Sequence, residues 1–232
     1  MVDFNSKQDG ESQWLPISDL MAVLMMIFLL IAVSFMLQVY LEKERIKEVA
    51  VTYSKLQDDL YEDLMTEFKD DLERWDAVID KENLSVRFKS PRIIFDNNEY
   101  EINKDFKDIL DQFFPRFIRI LHGDEYRNDI DEIRIEGHTS SEWRTQTSVQ
   151  DAYILNMQLS QNRTRNVLEY VLSIDDNQTI LRWARQHLVA NGLSSSRLIY
   201  NADGTENKEL SKRVEFKVKT NAEQRIAKIL SD

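Results

Sequence analysis

Residues 20–37 read LMAVLMMIFLLIAVSFML, and this run decides the architecture of the chain. None of its 18 residues is charged, and Ser34 is the only polar one. A helix needs about 20 apolar residues to cross the hydrocarbon core of a bilayer. Trp14 and Tyr40 flank the run, as aromatic residues do at membrane interfaces. The sequence therefore predicts one transmembrane helix over residues 14–41.

The alternative is a cleaved signal peptide, because Ala32, Val33 and Ser34 have the small-x-small form of a cleavage site. A secretory signal begins with a basic segment. Residues 1–13 instead contain one lysine and three acidic residues. The sequence therefore favours a permanent anchor with a short tail over residues 1–13.

An acidic residue, Asp19, lies directly before the apolar run, in WLPISDLMAVLMMIF over residues 14–28. It has two interpretations. In the first, Asp19 caps the helix and Pro16 lies in its first turn. In the second, Asp19 carries ions: a carboxylate at mid-bilayer depth costs about 2.5 to 3.5 kcal/mol, so it faces a partner or a water-filled path and can relay protons.

The stretch from Trp14 to Phe28, with Asp-Leu-Met at residues 19–21, resembles the B subunits of ion-driven stators. That family includes flagellar MotB and ZorB of the Zorya anti-phage system. The resemblance implies that Asp19 binds the translocated ion, H⁺ or Na⁺, and that no other cofactor is needed. It also implies a homodimer inside a pentameric A-type membrane subunit of the MotA or ZorA kind. The short, non-basic N-terminal tail favours the Zorya branch over the flagellar one.

From Glu42 to about Asp80 the chain has no glycine or proline, and apolar residues recur at steps of three or four. The pattern predicts a helical stalk over residues 42–82 with one narrow apolar stripe. A narrow stripe suits a two-stranded coiled coil, which would make the chain a homodimer. The alternative is that the stripe packs on the chain's own globular domain. The stripe contains Ile46, Val49, Tyr53, Leu56, Leu60, Leu64, Phe68, Leu72, Trp75 and Ile79.

Residues 83–220 change to an alternation of strands and helices, which predicts the α/β class with helices over one sheet. Pro115 is expected to break or bend the first helix of this domain near its middle. Residues 221–232 are expected to form a tail. The predicted strands are residues 85–89, 92–95, 132–136, 197–200 and 213–219, and the predicted helices are residues 102–121, 151–173 and 177–190.

Three motifs in this domain, IEGHTS at 135–140, NMQLSQNRTRNV at 156–167 and KRV at 212–214, resemble those of OmpA-like peptidoglycan-binding domains. The resemblance implies an OmpA-like α/β sandwich that binds the cell wall. It also implies that Asn156, Leu159, Ser160 and Arg163 contact peptidoglycan. A guanidinium such as that of Arg163 can hold a free carboxylate of a wall peptide through charge-assisted hydrogen bonds.

The chain departs from the family pattern at Ser140, which replaces the aspartate expected to bind the ligand's ammonium group. Asp151, in a longer loop, is the candidate substitute, and His138 is interpreted as structural. A wall-binding domain has no ligand in the cytoplasm. We therefore expect an inner-membrane protein with a cytoplasmic N-terminus and a periplasmic C-terminal domain, although basic residues at 43–47 alone would predict the reverse orientation.

Composition argues against several other functions. The chain has 30 Lys+Arg against 41 Asp+Glu, and a net charge of −11 disfavours nucleic acid as a partner. It has no cysteine, and its three histidines lack metal-ligand spacing. Five glycines form no phosphate-binding loop, and no acid pair or Ser/His arrangement supports an enzyme that hydrolyses the wall. A stator subunit and a passive peptidoglycan tether remain.

Overall fold

The computed structural model describes residues 11–89, 100–143, 147–174 and 177–221, with side chains from Ile17 onward. It confirms the predicted class, a long N-terminal helix followed by an α/β domain. The elements, in chain order, are α1 (Glu11–Leu72), β1 (Ala77–Asp80), β2 (Ser85–Phe88), α2 (Lys104–Leu121), β3 (Ile130–His138), α3 (Val149–Ile174), α4 (Gln178–His187), β4 (Leu188–Gly192), α5 (Lys208–Ser211) and β5 (Arg213–Thr220).

Helix α1 is unbroken because it has no glycine and its one proline, Pro16, lies near its start. By length and composition it is able to cross a membrane, and it is the one helix among the described residues with this property. All of its large apolar side chains from Leu20 to Leu41 are exposed. A surface of this kind needs an apolar solvent. The boundary between the two compact units of the chain falls between Val51 and Thr52.

The second unit contains a five-stranded sheet in the order β1-β2-β5-β3-β4. Only β3 and β4 are parallel, because α3 and α4 cross over between them. Phenylalanines of α2 pack on one face of the sheet, where Phe113 lies 5.3 Å from Phe88 and 5.1 Å from Phe216 between ring centroids. Each aromatic ring buried in this way contributes about 1.5 to 3 kcal/mol. This aromatic layer is the centre of the core.

The C-terminal part of the stalk differs from its prediction. Helix α1 ends at Leu72 instead of continuing to residue 82, because the chain turns at Asp76, whose φ is 47°. Trp75 then lies against Phe68, with 5.9 Å between ring centroids, and the next residues form β1. The apolar stripe from Leu60 to Phe68 is fully buried in the chain's own core. For this section of the stripe, the alternative interpretation is therefore correct.

Three further details differ from the sequence prediction. Residues 197–200 form no strand. The fourth strand is instead β4, in residues assigned to the end of a helix, because it pairs with the middle of β3. Helix α2 also continues through Pro115. A proline removes one hydrogen bond and costs about 3 kcal/mol, which the burial of several neighbouring phenylalanines exceeds. The strand predicted at 92–95 lies outside the described residues.

Arg116 of α2 joins the end of α1 to the domain, and this contact gives a first prediction. Its Nε lies 2.6 Å from Glu67, its Nη1 lies 2.7 Å from Asp71, and its guanidinium carbon lies 4.8 Å from the ring centroid of Phe68. Arg116→Met keeps the aliphatic stem and removes these polar contacts. We expect the free energy of unfolding of the full chain in detergent to fall by about 1 to 2 kcal/mol in urea titrations.

The control for this prediction is Arg127→Met. Among the residues that the structure describes, Arg127 pairs only with Asp124, whose side chain is 91% exposed. We expect a change of less than about 0.5 kcal/mol, as is usual for surface ion pairs. Equal losses of unfolding free energy in the two variants would show that Arg116 makes no specific stabilising contact between α1 and α2.

Candidate functional site

Helix α3 packs unusually close to β3 and β4, and two glycines permit this approach. A Cβ at Gly137 would lie 2.6 Å from Thr164 Cγ2, and a Cβ at Gly192 would lie 2.3 Å from the backbone nitrogen of Gln161. Both distances are shorter than van der Waals contact. The close approach brings α3, which contains the motif at 156–167, to the end of β3, where the loop of residues 139–143 begins.

Asn156 and Ser160 are buried in this interface. The Asn156 amide donates to the carbonyl oxygens of Ser140, at 3.2 Å, and Glu142, at 3.1 Å. The Ser160 hydroxyl accepts from the backbone N–H of Ser194 at 3.1 Å. Only 3% of Asn156 and none of Ser160 is exposed. Both side chains therefore support the loops around the site, and direct contact between them and a ligand stays a prediction.

Leu159 and Arg163 lie one turn apart on α3, and both are partly exposed. Of the four predicted residues in the motif at 156–167, they are therefore the ones that a ligand can reach. Seven residues of helix separate Arg163 from Asn156, or about 10 Å along the axis. Arg163 remains our candidate for the group that holds a ligand carboxylate.

The other two predicted residues have local roles. Ser140 is 4% exposed, and its carbonyl oxygen accepts from Asn156. Asp151 takes part in the cap at the start of α3: its backbone N–H donates to the hydroxyl of the capping residue Ser148 at 3.1 Å, and its carboxylate accepts from that hydroxyl at 2.7 Å. Asp151 also lies twelve residues before Arg163, about 18 Å along the helix. That separation argues against one small ligand group contacting both residues.

A cluster of buried charged residues lies on the face of the sheet opposite the phenylalanine layer. Glu136 and His138 on β3 face Arg213 and Glu215 on β5. The carboxylate of Glu215 accepts from Arg213 Nε at 2.6 Å and from Arg87 Nε at 2.8 Å. Within the described part of the chain, neither ring nitrogen of His138 has a hydrogen-bond partner, and its Nε2 lies 3.7 Å from the Glu136 carboxylate. Strand alternation is the sequence signal for this cluster, since polar residues at every second position of β3 and β5 share one face.

The spacing of residues in the sequence showed no metal-ligand pattern, but the fold brings three candidate ligand side chains close to one another. Ligand atoms of Glu136, His138 and Glu215 lie within 4.8 Å of one another. However, two guanidiniums already donate to Glu215, and Arg197 lies 3.5 Å from Glu136. These cations neutralise the carboxylates and would repel a divalent ion. We therefore interpret the cluster as structural, and the structural role of His138 stays a prediction.

The cluster predicts that acid destabilises the domain. Burial lowers the pKa of His138 from its ordinary value of 6.5. His138 therefore binds a proton more readily in the unfolded chain than in the folded one. Its contribution to stability is fully present above pH 6.5 and is lost as the pH falls towards the lowered pKa. Burial raises the pKa of Glu136, but interactions with His138 and Arg197 outweigh it and lower the pKa overall. Burial likewise raises the pKa of Glu215, but the hydrogen bond and charge of Arg213, together with Arg87, outweigh it and lower the pKa overall.

Thermal unfolding between about pH 7.5 and 5.5 checks this prediction, because the two carboxyl groups stay ionised in that range. We expect the unfolding temperature of the wild-type chain to fall with pH. His138→Gln cannot be protonated, so its unfolding temperature should depend less on pH over the same range. Identical slopes for wild type and variant would contradict the assignment to His138.

Comparison with known proteins supports the sequence resemblances. No protein-family model matches the chain. The chain is 48% identical over 225 residues to the Zorya protein ZorB of Escherichia coli, an alignment that covers 97% of this chain and 94% of that protein. A MotB-like protein from Desulfovibrio vulgaris matches with a TM-score of 0.51 and 21% identity, over 75% of this chain and 94% of that structure. The periplasmic domain of Helicobacter pylori MotB matches with a TM-score of 0.43 and 20% identity, over 63% of this chain and 83% of that structure.

Proposed function

Because the chain belongs to the ZorB family of Zorya proteins, we propose that it is the B subunit of an ion-driven stator in the bacterial inner membrane. In this proposal, α1 crosses the membrane and conducts ions with its partner subunit. The C-terminal domain binds peptidoglycan and holds the complex still. The anti-phage Zorya system is the proposed context, and a flagellar stator is the alternative within the same class.

The observation that carries the proposal is the position of Asp19 within α1. The helix begins at Glu11, so Asp19 lies eight residues inside it and is not its N-cap. Pro16 likewise lies beyond the first turn. Asp19 is followed by Leu20 and Met21, which are 71% and 62% exposed. A carboxylate on an apolar surface that faces lipid or partner helices needs a water-filled path or a polar partner, and this requirement supports ion carriage.

Dimerisation has support in the first part of the stripe. Ile46, Val49, Tyr53 and Leu56 follow one another at steps of three, four and three residues, which is the spacing of a coiled-coil seam. All four are partly buried, but Leu56 packs against the chain's own core, as do Leu60 and the stripe residues after it. We therefore propose that the homodimer contact lies before Leu56, in the section that contains Ile46, Val49 and Tyr53.

The energetics of the proposed motor follow from the membrane potential. One elementary charge that crosses 100 mV releases about 2.3 kcal/mol. Two copies of Asp19, one from each chain of the dimer, would take up and release ions in turn within a pentameric A-type ring. With the N-terminus in the cytoplasm and the C-terminal domain fixed to the wall, this ion flow would turn the ring around the dimer.

Two measurements on one preparation test the proposal. The full chain is purified with its A-type partner, reconstituted in liposomes and assayed for H⁺ and Na⁺ flux under an imposed potential. The same complex in detergent is sedimented with isolated sacculi. Flux together with sacculus binding supports a stator. Sacculus binding without flux would replace it with a passive tether, and failure of both would overturn the proposal.

A further inference from the structure

The loop of residues 139–143 contains Ser140, the position at which the OmpA-like resemblance implies a ligand-binding residue. Hydrogen bonds from two parts of the chain hold this loop. On one side, Thr139 N–H donates to the Ser194 carbonyl at 2.9 Å, and Asn156 donates to two loop carbonyls. On the other side is Glu206, which was not singled out from the sequence. Its carboxylate accepts from the Ser141 backbone N–H at 2.9 Å and also from the Ser141 hydroxyl.

Glu206 belongs to a hairpin of residues 199–207 that is ordered by its own hydrogen bonds. Asn201 N–H donates to the Thr205 carbonyl at 2.8 Å, and Asn207 N–H donates to the Ile199 carbonyl at 2.7 Å. Gly204 makes the turn with a φ of 81°, a conformation that favours glycine. The hairpin therefore keeps its shape without the loop. It presents the Glu206 carboxylate at a defined position.

The loop itself depends on such outside contacts. Ser141 and Glu142 are exposed and follow the last residue of β3, so they make no ladder hydrogen bonds. Hydrogen bonds to a carboxylate are stronger than neutral ones, and two of them reach a single residue, Ser141. Lys208 adds an ion pair to Glu142, but both of these side chains are about half exposed, so the pair contributes little.

We propose that Glu206 is a positioning residue for peptidoglycan binding: it holds Ser141, and through it the loop of residues 139–143, in the conformation that receives the wall peptide. It makes no contact with the ligand itself. This inference rests on the proposed wall-binding function. It assigns the hairpin of residues 199–207 a role in the affinity of the site.

Sedimentation of the full chain with isolated sacculi tests the proposal. Glu206→Ala removes both bonds to Ser141, and we expect the apparent affinity for sacculi to fall about 5- to 20-fold. Glu206→Gln keeps an acceptor for the Ser141 N–H and offers an N–H to the Ser141 hydroxyl, so it should restore most of the affinity. The matched control is Glu209→Gln, because Glu209 lies nearby, is exposed and pairs with Lys212. It should bind like the wild type.

Amide hydrogen exchange separates positioning from general stability. In Glu206→Ala we expect faster exchange at Ser141 and unchanged exchange in the middle of β3, because the effect is confined to the loop. If Glu206→Ala fails to fold, Ser141→Ala tests the same contact from the loop side, with an expected loss of about 2- to 5-fold.

The outcomes distinguish this inference from the function on which it rests. Wild-type affinity in a folded Glu206→Ala chain, or no recovery with Glu206→Gln, would overturn the positioning role alone. If the wild-type chain itself does not bind sacculi, the proposed wall-binding function is wrong, and the positioning role is wrong with it.

Discussion

Asp19→Asn is expected to reduce ion flux through the reconstituted complex to the background of protein-free liposomes. Asparagine has nearly the same shape as aspartate, but it neither binds nor releases a proton and carries no charge for a metal cation. The side chain lies inside α1 and beside the exposed apolar run, where no other acidic residue lies between it and Glu42. Phage protection in cells should be lost with the flux, while sacculus binding by the C-terminal domain should be unchanged.

Two variants bracket this prediction. Glu42→Gln removes the acidic residue at the other end of the apolar run and should conduct like the wild type. Asp19→Glu keeps a titratable carboxylate, displaced by one methylene, and should retain part of the flux. Normal conduction and protection in Asp19→Asn would exclude ion carriage by this residue and leave the tether.

Arg163→Gln is expected to weaken sacculus binding about 10- to 150-fold, which corresponds to the loss of about 1.5 to 3 kcal/mol from hydrogen bonds to a charged ligand group. Glutamine retains a hydrogen-bond donor but loses the positive charge and the planar fork that match a carboxylate. Sedimentation with isolated sacculi measures the loss. Ion flux in liposomes, where no wall is present, should not change.

The matched control is Arg165→Gln, because Arg165 lies two residues further along α3 and is exposed on another face of the helix. It should bind sacculi like the wild type. Arg163→Lys keeps the charge without the bidentate geometry and should give an intermediate affinity. Equal binding by Arg163→Gln and the wild type would remove Arg163 from the site and leave Leu159 as the accessible member of the motif.

The local elements were largely predictable from the sequence. The apolar run predicted the membrane-spanning character of α1, and alternating residues predicted β2, β3 and β5 close to their observed bounds. Motif order led to the OmpA-like fold. Strand β4 was missed because the segment of residues 188–192 is short and continues the apolar pattern of α4. Only its pairing with β3 makes this segment a strand.

The candidate site was predicted less completely. The motif pointed to Asn156 and Ser160, but helix periodicity does not tell whether a side chain faces a ligand or a neighbouring loop. Asn156 contacts Ser140, and Ser160 contacts Ser194. Each of these partners is distant in sequence from the residue that it contacts. Glu206 was missed for the same reason, since its partner Ser141 lies 65 residues away.

Two things were determined by the sequence itself: that one helix needs an apolar solvent, and that an acidic residue lies at its edge. Both follow from the composition of a single continuous segment. Only the tertiary structure decided that Leu60 to Phe68 pack on the chain's own domain and that Glu136, His138 and Glu215 meet. The physical reason is that an apolar or polar pattern indicates which face of a helix or strand is buried. Which other segment buries that face depends on the parts of the chain that folding brings together.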